Sequence, residues 1–190
     1  MFTREQSLKF LKEHNKEEMH IKHAFAVEAA MRAFAKHFGE NEDEWGLVGL
    51  MHDIDWEEYP SVDTHPMKGG EMLKELGYPD DFVRAVLSHG WEYSGVEPKT
   101  LKEKTLYTVD ELTGFITAVA LVRPSKSLSD LEVKSVKKKW KDKGFAKGVN
   151  RSVIEKGAEL MDEPLETLIE RTINALKPIE KEIGLGIYTE

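Results

Sequence analysis

Apolar side chains recur along this chain at the three- and four-residue spacing of an α-helix. The clearest stripe consists of Ala26, Ala29, Ala30, Ala33 and Phe34. It ends before Gly39, a residue type that commonly terminates helices. Alternation of apolar and polar residues over five or more positions, the pattern of a half-buried strand, is hard to find. The sequence therefore predicts an all-α fold.

Prolines and turn residues divide this pattern into separate helices. Pro66 is placed as the first residue of one helix, and Pro124 ends the longest apolar pattern, because proline lacks an amide proton. Residues 55–64 are predicted to form a loop. The predicted helices span about residues 4–15, 18–38, 41–53, 66–77, 79–89, 101–122, 129–141, 150–161 and 164–184. Neither a repeat nor a linker interrupts them, so one domain is expected.

Cysteine is absent from the 190 residues, which excludes disulfide scaffolds, thiolate zinc sites and thiol nucleophiles. Any bound metal must therefore be held by His, Asp or Glu. No apolar run of the kind found in export signals opens the chain, and no stretch approaches the ~18 apolar residues of a membrane-spanning helix. We therefore expect a cytoplasmic protein without a membrane partner.

The net charge of −8 is unevenly distributed. Residues 1–122 contain 13 Lys and Arg against 23 Asp and Glu, whereas residues 123–151 contain 10 Lys and Arg against three Asp and Glu. An acidic body of this kind argues against general nucleic-acid binding, which requires a broad basic face. The basic segment 123–151 is interpreted either as a solvated helix face or as part of a local anion site.

Two carboxylates occur where helices are expected to pack together. His52 and Asp53 follow the apolar run LVGLM, and Asp110 lies within the apolar pattern of residues 101–122. Burying an unpaired carboxylate costs roughly several kcal/mol, so these groups need a cation or many hydrogen bonds. A divalent metal meets this need, and mixed His and Asp ligands favour Mn, Fe, Co, Ni or Zn over Ca or Mg.

The order of these residues resembles the HD-domain superfamily of metal-dependent phosphohydrolases, in particular its HDIG-like subgroup. The matching motifs are HAFAVEAAMRAFA with His23, LMHDID with His52 and Asp53, HPMKGGEML with His65, VLSHGW with His89, and VDELTGF with Asp110. The tail of the chain is also similar to that of small uncharacterised prokaryotic members. The resemblance implies a single-domain helical bundle over 1–190, with a metal-binding core at 20–122 and a C-terminal helical extension at 123–190.

The resemblance also implies a role for each matching residue. One divalent transition-metal ion would be held by His23, His52, Asp53 and Asp110. His65 and His89 would either hold a second ion, with Asp53 bridging the two, or line the substrate pocket. A water activated by the metal would then attack the phosphorus of a small phosphoester such as a nucleotide. Whether the ester is a monoester or a diester stays open.

Three basic residues are candidate substrate ligands. Lys68 lies in the first turn of a predicted helix, where a cation opposes the helix dipole, and a phosphate near His65 would compensate. We therefore interpret Lys68 as a residue that binds substrate and stabilises charge in the transition state. Arg123 and Lys126 follow the helix of Asp110 and are candidates for attracting an anionic substrate. His20, one turn before His23, is interpreted as solvated or as a partner of a ligand.

The loop after the His-Asp pair departs from some nucleotidase relatives. They carry Glu four residues after the His, where this chain has Trp56, so Asp55 and Glu57 are considered as replacements. Two other functions stay open: a di-iron oxygenase, which uses a comparable ligand set, and a sensor or interaction module with a structural metal. The expected partner is a small phosphorylated substrate, and the protein is expected to be a monomer or a homodimer.

Overall fold

A computed structural model describes residues 2–186, and within this range it contains helices and no strand. The all-α prediction is thus confirmed. The helices are α1 (Arg4–His14), α2 (Glu18–Phe38), α3 (Glu42–Met51), α4 (Met67–Leu76), α5 (Asp80–His89), α6 (Trp91–Ser94), α7 (Leu101–Leu121), α8 (Val133–Trp140), α9 (Arg151–Met161) and α10 (Leu165–Leu176). No helix in the described range is both long and apolar enough to cross a lipid bilayer.

Local side-chain chemistry accounts for where several helices begin and end. α1 and α7 each begin with a capping box, in which a threonine (Thr3 or Thr100) and the third helical residue satisfy each other's free backbone amides. The C-terminal glycines of α2 and α4 have φ values of 74° and 91°. Glycine adopts this left-handed conformation without a steric penalty, which is why both helices stop there.

Some predicted boundaries are wrong. The basic helix begins at Val133 instead of residue 129, because residues 123–130 form turns and bends. The last helix ends at Leu176 and passes into a 3₁₀ turn over Lys177–Ile179, which contains a proline, so no α-helix reaches residue 184. Pro66 precedes α4 as its cap residue and is not its first helical residue. The short helix α6 was not predicted.

α2, α3, α5 and α7 pack together and place their apolar faces in a common core. Val27, Met31 and Phe34 of α2 are fully buried, as are Leu112 and Phe115 of α7. α3 lies very close to α2 because Gly49 has no side chain. A Cβ at that position would lie only 2.9 Å from the carbonyl oxygen of Val27. This close approach brings the end of α3 beside α2.

α9 packs against α7 through a second close approach at a glycine. A Cβ on Gly157 would lie 2.0 Å from Oγ1 of Thr108, and this hydroxyl is held in place by its 2.7 Å hydrogen bond to the carbonyl oxygen of Lys104. The second turn of α9, which contains Gly157, thereby lies against α7 two residues before Asp110. The C-terminal part of the chain consequently contributes to the surroundings of Asp110.

We predict that Gly157→Ala destabilises the protein. Alanine normally favours a helix over glycine, but here its methyl group overlaps the Thr108 side chain, and overpacking of this kind costs about 1–3 kcal/mol. Urea denaturation measures the change. Gly148→Ala is the control, since no atom lies within 4 Å of its Cβ position, and an equal loss in both variants would contradict the packing argument.

Candidate metal centre

Six His and Asp side chains converge where several helices meet. α2 contributes His23 and α7 contributes Asp110. His52 is the residue that directly follows α3, and Asp53 comes next. The other two are His65, in the turn before α4, and His89, the last residue of α5. The side chains come from six positions spread over 88 residues of the chain, so the tertiary packing brings them together.

The first cluster of possible metal ligands consists of His23, His52 and Asp110, and their ligand atoms all lie within 4.8 Å of one another. Oδ1 of Asp110 is 2.9 Å from Nε2 of His23 and 3.4 Å from Nε2 of His52. His52 is completely buried, whereas His23 and Asp110 are partly accessible from the solvent side. Two imidazole nitrogens and a carboxylate oxygen therefore face a common point.

The second cluster consists of Asp53, His65 and His89, again with ligand atoms within 4.8 Å of one another. Oδ1 of Asp53 lies 3.5 Å from Nε2 of both histidines. Its other oxygen, Oδ2, lies 3.3 Å from Nε2 of His52 in the first cluster. Asp53 thus presents one carboxylate oxygen to each cluster, the position of a ligand that bridges two ions.

Hydrogen bonds at Nδ1 determine which nitrogen of each ring faces the centre. Nδ1 of His52 donates to the carbonyl oxygen of Gly49 at 2.8 Å, and Nδ1 of His89 donates to that of Val86 at 2.6 Å. Because a carbonyl oxygen can only accept, Nδ1 carries the proton in both rings. In the neutral tautomer, Nε2 of each ring therefore turns a lone pair toward the centre.

These lone pairs fit a metal ion and fit poorly with one another. Nε2 of His65 and Nε2 of His89 lie 3.0 Å apart, and Nδ1 of His65 is occupied by the Asp55 carboxylate at 2.9 Å. When both rings are neutral, two lone pairs face each other there, so the contact requires either a proton on one Nε2 or a metal ion between the rings. Nε2 of His52 is buried and has no hydrogen-bond partner. Imidazole nitrogens and carboxylate oxygens are suitable ligands for divalent transition metals, so the residues present fit such an ion.

The electrostatics of the centre also favour a cation. Burial disfavours the ionised carboxylates, but the neighbouring imidazoles outweigh it and hold the pKa values of Asp53 and Asp110 well below the usual range. Burial likewise opposes protonation of His52, but these two carboxylates raise the pKa of that ring. The aspartates are thus ionised at neutral pH and available as ligands.

Asp55 was considered as a replacement for the missing Glu, but the structure places its side chain against His65 and not in the cavity wall. It is fully buried, and its two oxygens accept hydrogen bonds from Nδ1 of His65 at 2.9 Å and from the amide of Gly69 at 2.7 Å. It does not line the cavity, so it orients His65 and does not replace the missing Glu as a group facing water. Carboxylates in this position fix the tautomer and raise the basicity of a ligating histidine.

Glu57, the other residue considered as a replacement, does not line the cavity either. Its Oε2 accepts hydrogen bonds from the amides of Lys16 and Glu17 at the start of α2 and lies 3.1 Å from Nδ1 of His20. Glu57 therefore fixes the two residues that directly precede α2, the helix that contains His23. His20 itself lines the cavity and is partly exposed.

A cavity of about 500 Å³ opens above the two clusters, a volume typical of small-molecule sites. The parts of the metal centre that line it are His23, Asp53, His65, His89 and Asp110. Glu111 lies beside them, and burial, to which the Asp110 charge adds, raises the pKa of Glu111 to about 7. His65 and His89 thus occupy both predicted positions, within the metal cluster and in the cavity wall.

The other three candidate substrate ligands do not line the cavity. The Lys68 ammonium lies 2.5 Å from Oε2 of Glu71 on the exposed side of α4. The Arg123 guanidinium pairs with Asp130 at 2.6 Å. Arg123 follows Asp110 by thirteen residues, which corresponds to roughly 20 Å along a helix. Lys126 lies in the turn that follows, and its carbonyl oxygen accepts from Gly186. None of these three basic side chains therefore forms part of the cavity wall.

The family model of the HD domain matches residues 21–114. This range contains all six converging side chains and ends within α7, so α8, α9 and α10 lie outside it. No curated protein and no solved structure matches the chain.

We predict that Asp55→Asn weakens metal binding by about 10- to 100-fold. An Asn side chain has only one acceptor oxygen for the two bonds that Asp55 accepts. If this oxygen faces Gly69, the NH₂ group meets Nδ1–H of His65, and if it faces His65, the bond lacks the carboxylate charge. Titration of the purified protein with Co²⁺, followed by visible absorption, measures the affinity. Asp63→Asn, in the exposed loop before α4, is the control and should leave the affinity unchanged. Equal affinities in both variants would show that Asp55 does not orient a ligand.

Proposed function

Because the chain belongs to the HD-domain superfamily of metal-dependent phosphohydrolases, we propose that it hydrolyses a small phosphoester with the help of one or two divalent transition-metal ions. One observation supports this proposal above the others: two clusters of three ligands lie at the floor of a cavity large enough for a small molecule, and Asp53 of the second cluster also faces His52 of the first. Phosphoryl transfer is a reaction to which such paired sites are suited.

The residues would divide between two ions. His23, His52 and Asp110 would hold the first together with Oδ2 of Asp53, and His65, His89 and Oδ1 of Asp53 would hold the second. A divalent ion supplies a Lewis acid that lowers the pKa of water and offsets negative charge on phosphoryl oxygens. With a single ion, His65 and His89 would instead be hydrogen-bonding groups of the substrate pocket.

Neighbouring backbone and side-chain groups orient these ligands in the absence of a metal ion. The backbone carbonyls of Gly49 and Val86 and the carboxylate of Asp55 hold three imidazoles with Nε2 toward the centre. Their orientation is therefore established before a ligand enters, which reduces the cost of ordering the site. Lys68, Arg123 and Lys126 lie outside the cavity lining, so this proposal assigns them no step and leaves the positive charge to the bound ions.

The same six ligands are also compatible with a pair of iron ions, so a di-iron oxygenase is the second candidate. A third candidate is a module in which the metal stabilises the fold without turnover. Metal content, oxygen consumption and the effect of a chelator on melting temperature distinguish these three from one another.

We predict that hydrolysis requires the metal and fails in His23→Ala. A panel of phosphomonoesters and phosphodiesters, assayed with Mn²⁺, Fe²⁺, Co²⁺, Ni²⁺ or Zn²⁺, should contain at least one substrate, and a chelator should abolish its turnover. His23→Ala should lower kcat/KM on the order of 100-fold or more, because it removes a ligand from the first cluster. His14→Ala is the control, since His14 pairs with Glu58 and does not line the cavity.

Absence of hydrolysis across the panel in folded, metal-loaded protein would reject the phosphohydrolase. Two irons with oxygen uptake would then establish the oxygenase. A melting temperature that falls on chelation, without any turnover, would establish the structural metal.

A further inference from the structure

The cavity above the metal clusters is poor in positive charge. Among residues 2–186, no Lys or Arg side chain lines it. Lys156, near its rim, lies over the Trp91 ring at 3.4 Å and 3.6 Å from Glu92. The Arg151 guanidinium stacks on Phe115 and donates to the carbonyl oxygen of Phe145 at 2.7 Å. These cations are already occupied by neighbouring groups.

Glu92 and Glu111 are the carboxyl groups of the wall outside the metal centre. Glu92 accepts a 2.6 Å hydrogen bond from the Tyr107 hydroxyl, and Glu111 accepts a 3.0 Å bond from the amide of Asn150. Neither carboxyl group offers positive charge in any protonation state. A phosphoryl group bound at the metal centre would be neutralised there, whereas a second or third phosphate would meet no Lys or Arg side chain among the described residues that line the cavity.

The remaining wall is apolar and in part exposed. Met19, Val62 and Tyr93 line the cavity although they are 68%, 52% and 54% exposed. Large apolar side chains grouped at the mouth of a cavity indicate a surface that a ligand covers. The Trp56 ring also lines the cavity, so two aromatic rings are available to contact a flat group.

Part of this wall comes from outside the range that the family model matches. Val149 and Val153, at the start of α9, line the cavity opposite the metal ligands of the HD core. The bond from the Asn150 amide to Glu111 and the Gly157 contact hold this segment against α7. The cavity wall thus combines residues of the range that contains the metal ligands with residues of the segment around the start of α9.

We propose that the substrate has a single phosphoryl group attached to an aromatic or similarly flat apolar group, and that diphosphates and triphosphates are selected against. This inference rests on the proposed hydrolysis of a phosphoester and specifies its substrate class. The phosphoryl group lies at the clusters and the ring lies against the wall of Trp56, Val62 and Tyr93. Discrimination arises both from the apolar contact and from the missing counter-charge.

Binding of two phosphonates to the Co²⁺-loaded protein tests the apolar wall without any turnover. Isothermal titration calorimetry should show phenylphosphonate binding at least about 10-fold more tightly than methylphosphonate, because only the former covers the wall. Tyr93→Ser should reduce this ratio roughly 3- to 10-fold, the range expected for loss of an aromatic contact. Tyr59→Ser is the matched control, since Tyr59 is 37% exposed and does not line the cavity.

Hydrolysis of adenosine monophosphate and adenosine triphosphate tests the charge argument. The monophosphate should have a kcat/KM at least about 10-fold higher. Val62→Lys places a cation at the mouth and should reduce this preference several-fold. Val122→Lys adds the same charge at a valine that is 57% exposed and outside the cavity lining, so it should leave the preference unchanged.

The outcomes separate this inference from the proposed function. Equal binding of the two phosphonates, or a triphosphate hydrolysed as well as the monophosphate, would overturn the inference while leaving phosphoester hydrolysis intact. If no phosphoester is hydrolysed with any metal, the proposed function fails, and the phosphonate pair still decides whether the apolar wall binds a ring.

Discussion

The structure depends on an electrostatic conflict at its centre. Two ionised aspartates and four imidazoles, three of which have Nε2 held toward one another, meet within a helical core. With neutral rings and no cation, the 3.0 Å approach of His65 and His89 and the unpartnered Nε2 of His52 are unfavourable. A divalent ion converts the same arrangement into coordination bonds. The conflict is therefore the best physical indication of what the centre binds.

Helix packing holds these side chains together although they repel one another when no cation is bound. Gly49 lets α3 approach α2 so closely that His52 reaches the first cluster, and Gly69 leaves room for the Asp55 carboxylate behind His65. Glu57 links the loop after the His-Asp pair to the start of α2. The free energy that holds the ligands in place is supplied by the surrounding apolar core, in which Phe34, Leu112 and Phe115 are fully buried. The same helix packing therefore both buries the apolar core and orients the metal ligands.

The sequence predicts the helices and the six converging side chains because both depend on local patterns. Helix positions follow from apolar spacing, and the six converging side chains were recognisable because charged and imidazole groups stood within apolar segments or matched family motifs. Sequence reasoning missed the role of Asp55, because the bond to His65 joins residues ten positions apart through a loop of irregular conformation. It also placed Arg123 near the cavity, since adjacency in sequence to a ligand helix does not reveal that roughly 20 Å of helix lies between.

The missing basic side chains change how recognition by this cavity should be understood. In a site lined by Arg or Lys, charge on the protein would select for the number of phosphates. Here no Lys or Arg side chain of residues 2–186 lines the cavity, so the positive charge that meets a phosphoryl group would be that of ions held by the His and Asp clusters. The metal ligands and the wall of Trp56, Val62 and Tyr93 lie within residues 21–114, and α9 completes the wall from outside that range. A change in the first turn of α9 can therefore alter which ester binds without touching a metal ligand.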